Sequence, residues 1–580
     1  MSQQETKDMS KHFYRASAAD FKKVPGKPIA YWLTENALSV FERRKGLVGD
    51  LAKAEGKNVT TNNDRFIRFF WEVSKQEIGA FDKHWLPCAM GGGYRKWYGN
   101  VMHVIDWSDH ARLHYKSAPA GRIIRKEFWG LPGITWGKIG SRHASFRILA
   151  SDEMYQETAV LQESEDDAVF LLSLLNSKVS NYFLQFFSPT VNFQLEDISA
   201  IPMLDMTGMN EQLLERTQRS IQIAKKDWDS AEFSLQFSGL ELVNTRDHSQ
   251  LLQSAFDSMR LRQRDLVSEM RSLEEENNQM FISTYGLEGE LSAELRTDEI
   301  TLICNPFNRY GGDRLETELE SMFRCDTLRE LVSYAIGCMM GRYSLDQSGL
   351  ILASKGETIQ DYLGQIPSPC FAPDDDAILP LTDLEWFADD ATNRFREFVR
   401  VVWGDEHLQE NLDFVAESLC LHAIKSKRDE SALDTIRRYL STQFYKDHLR
   451  TYKKRPIYWL FSSGKHKAFE CLVYLHRYNE GTLARMRTEY VIPLSAKLNA
   501  YTEKLEQDKE TSTSAAETKR LEKEIATLHK QQSELAEFDE KLRHYADQRI
   551  SLDLDDGVKV NYGKFGDLLA EVKAVTGGKP

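Results

Sequence analysis

At 580 residues, with 41% hydrophobic and 28% charged side chains, the chain is long enough for roughly three or four domains and has the composition of folded, not disordered, protein. Its formal net charge of −14 conceals a division: residues 1–150 carry 25 Lys and Arg against 14 Asp and Glu, a net of +11, and the other 430 carry 49 against 74, a net of −25. No apolar run reaches the roughly 18 residues that a membrane span needs; the most apolar stretch, Leu331 to Met340, is short and lies between Arg329 and Arg342. The opening MSQQETKDMSKHFYR lacks the apolar core of a secretory leader. The seven cysteines (Cys88, Cys304, Cys325, Cys338, Cys370, Cys420 and Cys471) are odd in number and widely spaced, with no C-x-x-C and no zinc-like pairing with histidine. Reduced, buried thiols in a cytoplasm are expected, with no metal and no membrane partner.

In chain order, residues 1–205 mix short strand-like and helical pieces with loop signals at Pro25-Gly26, Gly91-Gly92-Gly93 and Pro132-Gly133. Ala168 to Phe187 (AVFLLSLLNSKVSNYFLQFF) reads as one buried amphipathic helix ended by Ser188-Pro189, and ISAIPM (Ile198 to Met203) closes the module. Residues 206–289 form a helical connector whose stripe of Leu252, Phe256, Met259, Leu266, Met270 and Leu273 faces a partner helix; Glu274-Glu275-Glu276 is read as a solvated stretch of it. Residues 290–490 read as an α-rich domain. Within it, Pro367 to Pro380 is a loop whose Asp374-Asp375-Asp376 run lacks the spacing of a cation loop and is read as surface charge. Residues 491–580 read as a helical hairpin with coiled-coil-like spacing at Leu521, Ile525, Leu528, Leu535 and Leu542. It pairs with an earlier helix carrying Leu494, Leu498, Tyr501 and Leu505 across the break TSTSAAET (Thr511 to Thr518). Asp555-Asp556-Gly557 is a turn signal between two alternating segments, ISLDL and VKVNY, which predicts a β-like tail. The fold class expected is α+β and helix-rich: a mixed α/β module, a helical connector, an α-rich domain and a terminal antiparallel hairpin.

The basic module also holds seven of the eleven tryptophans: Trp32, Trp71, Trp85, Trp97, Trp107, Trp129 and Trp136. These are expected to be mainly core. The cationic excess is the functional signal, because positive charge interleaved with aromatics marks a surface that meets a polyanion. Three stretches concentrate it. The first is Arg43-Arg44-Lys45. The second is GKNVTTNNDRFIRFF, where Lys57, Asn58, Thr60, Thr61, Asn62, Asn63 and Arg65 are the residue types that hold phosphates or read base edges. The third is GGGYRKWYGN, whose glycine turn carries Tyr94, Arg95, Lys96, Trp97 and Tyr98. A tight turn that places Trp97 in the core explains it about as well, and the spacing is not that of a phosphate-binding P-loop. Arg112, Arg122, Arg125, Lys126, Lys138, Arg142 and Arg147, with His143 and Ser145, add to the charge; most are read as solvated.

A second island, YKDHLRTYKKRPIYWLFSSGKHK (Tyr445 to Lys467), sets Lys446, Arg450, Lys453, Lys454, Arg455, Lys465 and Lys467 against Asp447 alone. It either clamps a DNA backbone or packs on an acidic neighbour, and its Ile457-Tyr458-Trp459-Leu460 reads as a strand entering the core. A methyltransferase needs a glycine-rich cofactor turn and, for amino groups, a loop with two consecutive prolines. The nearest string, Cys304-Asn305-Pro306-Phe307, has one. No Walker loop, zinc-protease or nucleophile-elbow motif is present, so the chain by itself reads as non-catalytic.

Several long strings nevertheless resemble one family. FKKVPGKPIAYWLTENALSVFE, TTNNDRFIRFFWEV, GGGYRKWYGN, LLNSKVSNYFLQFFSPTVNFQLEDISAIPM, CNPFNRYGG, CMMGRYSLD, YKDHLRTYKKRPIYWLFSSGKHKAF and HYADQRISLDLDDGVKVNYGKFGDLL are similar to the C-terminal half of the PglX-type adenine-specific DNA methyltransferases of BREX phage-defence systems. More distantly they resemble target-recognition regions of fused restriction–modification enzymes and type I specificity subunits. The resemblance implies a catalytic half, with its S-adenosylmethionine, that precedes residue 1 or sits on another chain; no cofactor is expected in this one. It implies double-stranded DNA, the catalytic half, other BREX components and phage DNA-mimic inhibitors as partners. Where the family loop usually reads Thr-Gly-Asp-Asn-Asp-Arg-Phe, this chain has Thr60-Thr61-Asn62-Asn63-Asp64-Arg65-Phe66, with Thr61 where glycine is common.

The function expected is sequence-specific duplex recognition for an adenine-N6 methyltransferase. The contact residues expected are Arg43, Arg44, Lys57, Asn58, Thr60, Thr61, Asn63, Arg65, Tyr94, Arg95, Lys96, Arg122, Arg125, Lys138, Arg142, Ser145, Lys453, Lys454 and Arg455. The alternative is a protein-interaction scaffold that docks other defence components and uses the basic module to bind an acidic partner.

Overall fold

The computed structural model describes residues 24–25, 33–51, 53, 56–140, 143–156, 158–187, 192–205, 210–244 and 250–578. It is α+β and rich in helix, with small sheets. The chain forms two compact units. One draws on residues up to Phe66, Gly79–Trp228 and Gln263–Gly311; the other on Ile67–Ile78, Asp229–Arg262 and Gly312–Pro580.

In the first unit, Trp85–Ala89 pairs antiparallel with His103–Asp106 and parallel with Met154–Tyr155. Gly133–Trp136 is the central strand of a second sheet, antiparallel to Phe146–Leu149 and Thr158–Leu161. Leu86, Cys88, Ile105, Trp107, Tyr115 and Leu149 belong to the core these strands enclose. The single helix expected over 168–187 is two, Glu165–Leu175 and Lys178–Phe187. The break has a local cause. Asn176 clamps the Phe146 backbone, accepting from its N–H and donating to its carbonyl, both at 3.0 Å. Ser177 then accepts from Ser180 N and so starts the next helix. The Ser188-Pro189 stop lies outside the described residues.

In the second unit, Glu470–Tyr474 runs between Ile378–Pro380 and Tyr458–Ser462, antiparallel to both. Leu331–Met339 lies within the helix Glu316–Met339 and is largely buried. The hairpin is present as helices Ile492–Thr511 and Ala515–Asp547. It is antiparallel: Arg487 pairs with Asp539 at 2.7 Å and Tyr501 donates to Glu524 at 2.8 Å. Leu494, Leu498 and Leu505 are buried, as are Leu521, Ile525, Leu528, Leu535 and Leu542. The β-like tail is corrected: after a 3-10 turn at Leu554–Asp556, Gly557–Gly563 is helix. The Glu72 carboxylate accepts the Val558 N–H at 3.0 Å, and Asn561 donates to Gly557 O at 2.9 Å, so side chains and not strand pairing satisfy this backbone. The acidic run at 374–376 is also more than surface charge. Asp374 Oδ1 accepts from Asp376 N and Ala377 N, and the carbonyls of Asp374 and Asp375 accept from Arg477.

All seven cysteines are free thiols, with Cys370 exposed. Among the described residues no helix is long and apolar enough to cross a membrane, and no three His, Cys, Asp or Glu side chains converge as a metal site.

Candidate nucleic-acid interface

Several of the first unit's exposed cations lie around one loop. Residues 56–65 run antiparallel to 122–124: Val59 and Arg122 exchange backbone hydrogen bonds, and Asn58, fully buried, accepts from Ile124 N at 3.0 Å and donates to Tyr155 O at 3.2 Å. The Arg122 guanidinium lies over Gly56, whose φ is +89°, and a side chain there would meet it at 2.8 Å. At the other end of the loop Phe66 is buried, its ring 4.8 Å from His114 and 5.2 Å from Tyr115. His114 and Tyr115 lie on the helix Asp109–Ser117, capped by Ser108 and sunk through Ala111 and Tyr115. Loop, helix and the 122–126 segment together expose Lys57, Arg65, His110, Lys116, Arg122, Arg125 and Lys126.

The loop's hydrogen bonding leaves it donor-rich. Thr60 donates to Asn63 Oδ1 at 2.6 Å, and Asn62 Oδ1 accepts from Arg65 N at 3.1 Å. Both asparagine oxygens are thus used within the loop, which leaves amide N–H groups on two exposed side chains. Thr61 has φ +63°, the left-handed region that glycine favours. Its hydroxyl donates to Thr60 O at 2.6 Å and lies 3.1 Å from His114 Nε2, which ties the strained residue to the neighbouring helix. Glycine, which has no Cβ, would suit that conformation.

Other expected contacts fall elsewhere. Asn58 and Thr60 are buried framework beneath the loop. Arg43 donates to Tyr285 O at 2.8 Å and Arg44 donates to Phe41 O, while Arg125, within the 122–126 segment, pairs with Glu127 at 2.9 Å. Lys138 is exposed on a separate segment beside the exposed Ile139, and Arg142 lies outside the described residues. The GGGYRKWYGN segment requires the largest correction. Arg95 is buried and ion-pairs with Asp227 at 3.0 Å; Lys96 is buried and pairs with Glu274 at 2.7 Å. Burial works against a charged Lys96, but the Glu274 carboxylate, with Tyr94 and Glu299, outweighs it and holds the ammonium pKa above the usual lysine value. Glu274 also accepts from Trp97 Nε1 at 2.8 Å, so the Glu274-Glu275-Glu276 run is not simply solvated. Ser145 is spent accepting from Arg95 N. Trp97 is 2% exposed at φ +70°, which makes the tight turn around a core tryptophan the reading the geometry supports. Tyr94 remains exposed on this braced turn.

His110, His114 and Lys116 do not stand out in the sequence. The signal for them is Ser108 as a helix cap before a stretch in which Ala111 and Tyr115 are apolar at helical spacing. In the second unit, Lys453 and Lys454 are exposed and Arg455 is half-buried.

The one string reminiscent of an amino-methyltransferase loop does not fit that chemistry. Asn305 is buried; its amide donates to Thr297 O and Ile300 O, and its oxygen caps Phe307 N at the start of the helix Pro306–Tyr310. Both amide N–H groups of buried Asn305 are used and its oxygen already caps the helix, so its side chain serves the local fold, and no methyl-transfer step is derived from these residues.

No family model matches the chain. It is 44% identical, over 97% of its length, to 46% of the adenine-specific methyltransferase BrxX of Escherichia coli O9:H4 (strain HS). It is 34% identical, over 95% of its length, to 45% of the adenine-specific methyltransferase PglX of Lacticaseibacillus casei (strain Zhang). The chain spans about half the length of the curated relatives it matches.

Proposed function

We propose, from the premise that this chain is a homologue of about half of an adenine-specific methyltransferase of the BrxX and PglX type, that it supplies duplex DNA recognition for a BREX defence methyltransferase. The observation that carries the reading is the donor-rich loop 56–65 set among exposed cations. Lys57, Arg122 and Lys116 are suited to phosphate oxygens. The amides of Asn62 and Asn63, with Arg65, are suited to the acceptor atoms of base edges, which in the major groove are densest on guanine. Methyl transfer with S-adenosylmethionine is assigned to sequence that the relatives have beyond the matched half, and the DNA substrate places the work in the bacterial cytoplasm.

Selection of the purified chain against a randomised duplex library, at low and near-physiological salt, tests the reading. One enriched, non-palindromic motif that survives the higher salt is expected. Lys57→Gln should weaken all sequences alike and flatten the salt dependence by roughly one unit of slope, whereas Asn63→Ala or Arg65→Ala should relax one position of the motif at about 1–3 kcal/mol. Duplex binding no tighter than that of an unrelated cationic protein would sink the proposal and favour the scaffold alternative.

A further inference from the structure

In the second unit a continuous helical stretch runs through Ala432–Tyr439, a π turn at Leu440–Phe444 and Tyr445–Thr451. A π turn inserts one residue and so rotates the next helical turns about the axis. Beyond it, Tyr445, His448, Leu449 and Tyr452 are buried, while Lys446, Arg450, Lys453 and Lys454 are exposed. The acid in their midst is largely occupied: Asp447 lies 3.1 Å from Arg329 and accepts from Tyr439 and Gln443. Arg450 reaches it at 3.4 Å. Lys446, Lys453 and Lys454 have no acidic partner among the described residues.

The backbone adds a second, independent observation. Lys453 and Lys454 have φ of +51° and +60° as the helix ends, where their N–H groups bond back to Arg450 O and Leu449 O. A helix terminus of this kind is ordinarily closed by glycine, because a Cβ is strained there. Two consecutive lysines therefore occupy positions where glycine would be more stable, and they bring charge without local compensation to a chain of net charge −14. Strain kept at an exposed charged position points to function, not stability.

We propose that Lys446, Lys453 and Lys454 form a second phosphate-binding surface, one that grips duplex backbone without reading sequence. The inference rests on the duplex-binding reading above. The test uses the full chain and a short duplex lacking the selected motif, with affinity measured across a salt series and unfolding followed thermally. Lys453→Gly/Lys454→Gly should raise Tm by about 2–4 °C, because the strain is relieved. The same variant should bind more weakly and lose roughly two units of salt slope. Lys446→Gln, which carries no backbone strain, should leave Tm unchanged and lose roughly one unit of slope. Both should leave the selected motif unaltered. If the wild-type chain binds duplex but all three substitutions leave affinity and slope unchanged, the lysines only cap the helix and this inference falls. If the wild-type chain fails to bind duplex, the functional reading itself falls.

Discussion

Two single residues carry measurable consequences. Thr61 is β-branched in a left-handed conformation, which costs about 1–3 kcal/mol. Against this stand its hydroxyl contacts, worth about 1 kcal/mol, and the backbone freedom that glycine would lose on folding. Thr61→Gly is therefore expected to sit within about 1 kcal/mol of the parent in urea unfolding. Thr61→Val, which keeps the strain and loses the hydroxyl, should be about 1 kcal/mol less stable than the parent; Thr61→Val as stable as the parent would refute the account. Glu232 is the second. Burial pushes its carboxyl up to about 7, with the Ser333 hydrogen bond at 2.6 Å and the Arg342 charge opposing. The folded state then binds more protons than the unfolded one between the ordinary value of 4.5 and about 7, so this group's contribution to stability falls as pH rises through that window. Glu232→Gln keeps an acceptor for Ser333 and should flatten that fall, leaving the variant about 1–3 kcal/mol more stable than the parent at pH 8. A parallel pH profile for the two proteins would count against a buried, protonated Glu232.

At the scale of elements, the helix Leu252–Tyr285 reaches the GGGYRKWYGN turn through Glu274, which ion-pairs with Lys96 and accepts from Trp97. Lys96→Met strands a buried carboxylate and is expected to cost about 3–5 kcal/mol in urea unfolding. Adding Glu274→Gln removes the charge, keeps the acceptor for Trp97, and should recover most of the loss. No recovery would mean that packing of the lysine stem, not its charge, holds the turn. This latch also shows what sequence reading reaches. The hairpin was legible because Leu521, Ile525, Leu528, Leu535 and Leu542 declare one face within one element. The roles of Arg95 and Lys96 were not, because their counter-charges lie 132 and 178 residues away, and a cation next to an aromatic looks the same in sequence whether its partner is a phosphate or a buried carboxylate. VKVNY misled for a similar reason. Its alternation suggests a strand, but Glu72, 486 residues earlier, meets the N–H of Val558 at the start of a helix.

For the whole molecule, the charge division read from sequence remains, but its meaning narrows. Part of the cationic excess of residues 1–150 is absorbed in buried or local pairs such as Arg95–Asp227 and Lys96–Glu274. Among the described residues, exposed cations include those on the loop 56–65, the helix Asp109–Ser117 and the 122–126 segment, with the lysine row at 446–454 in the other unit. The division into units has a further consequence, for biosynthesis. The first unit takes back Gln263–Gly311 after the chain has contributed Asp229–Arg262 to the second, and the second contains Ile67–Ile78 from near the start. A ribosome delivers residues in order, so the cationic unit lacks Glu274, the counter-charge of Lys96, until the chain has grown well past Trp228. Until then that lysine lacks its counter-charge, and the cationic unit stays incomplete while the long helix is still being made.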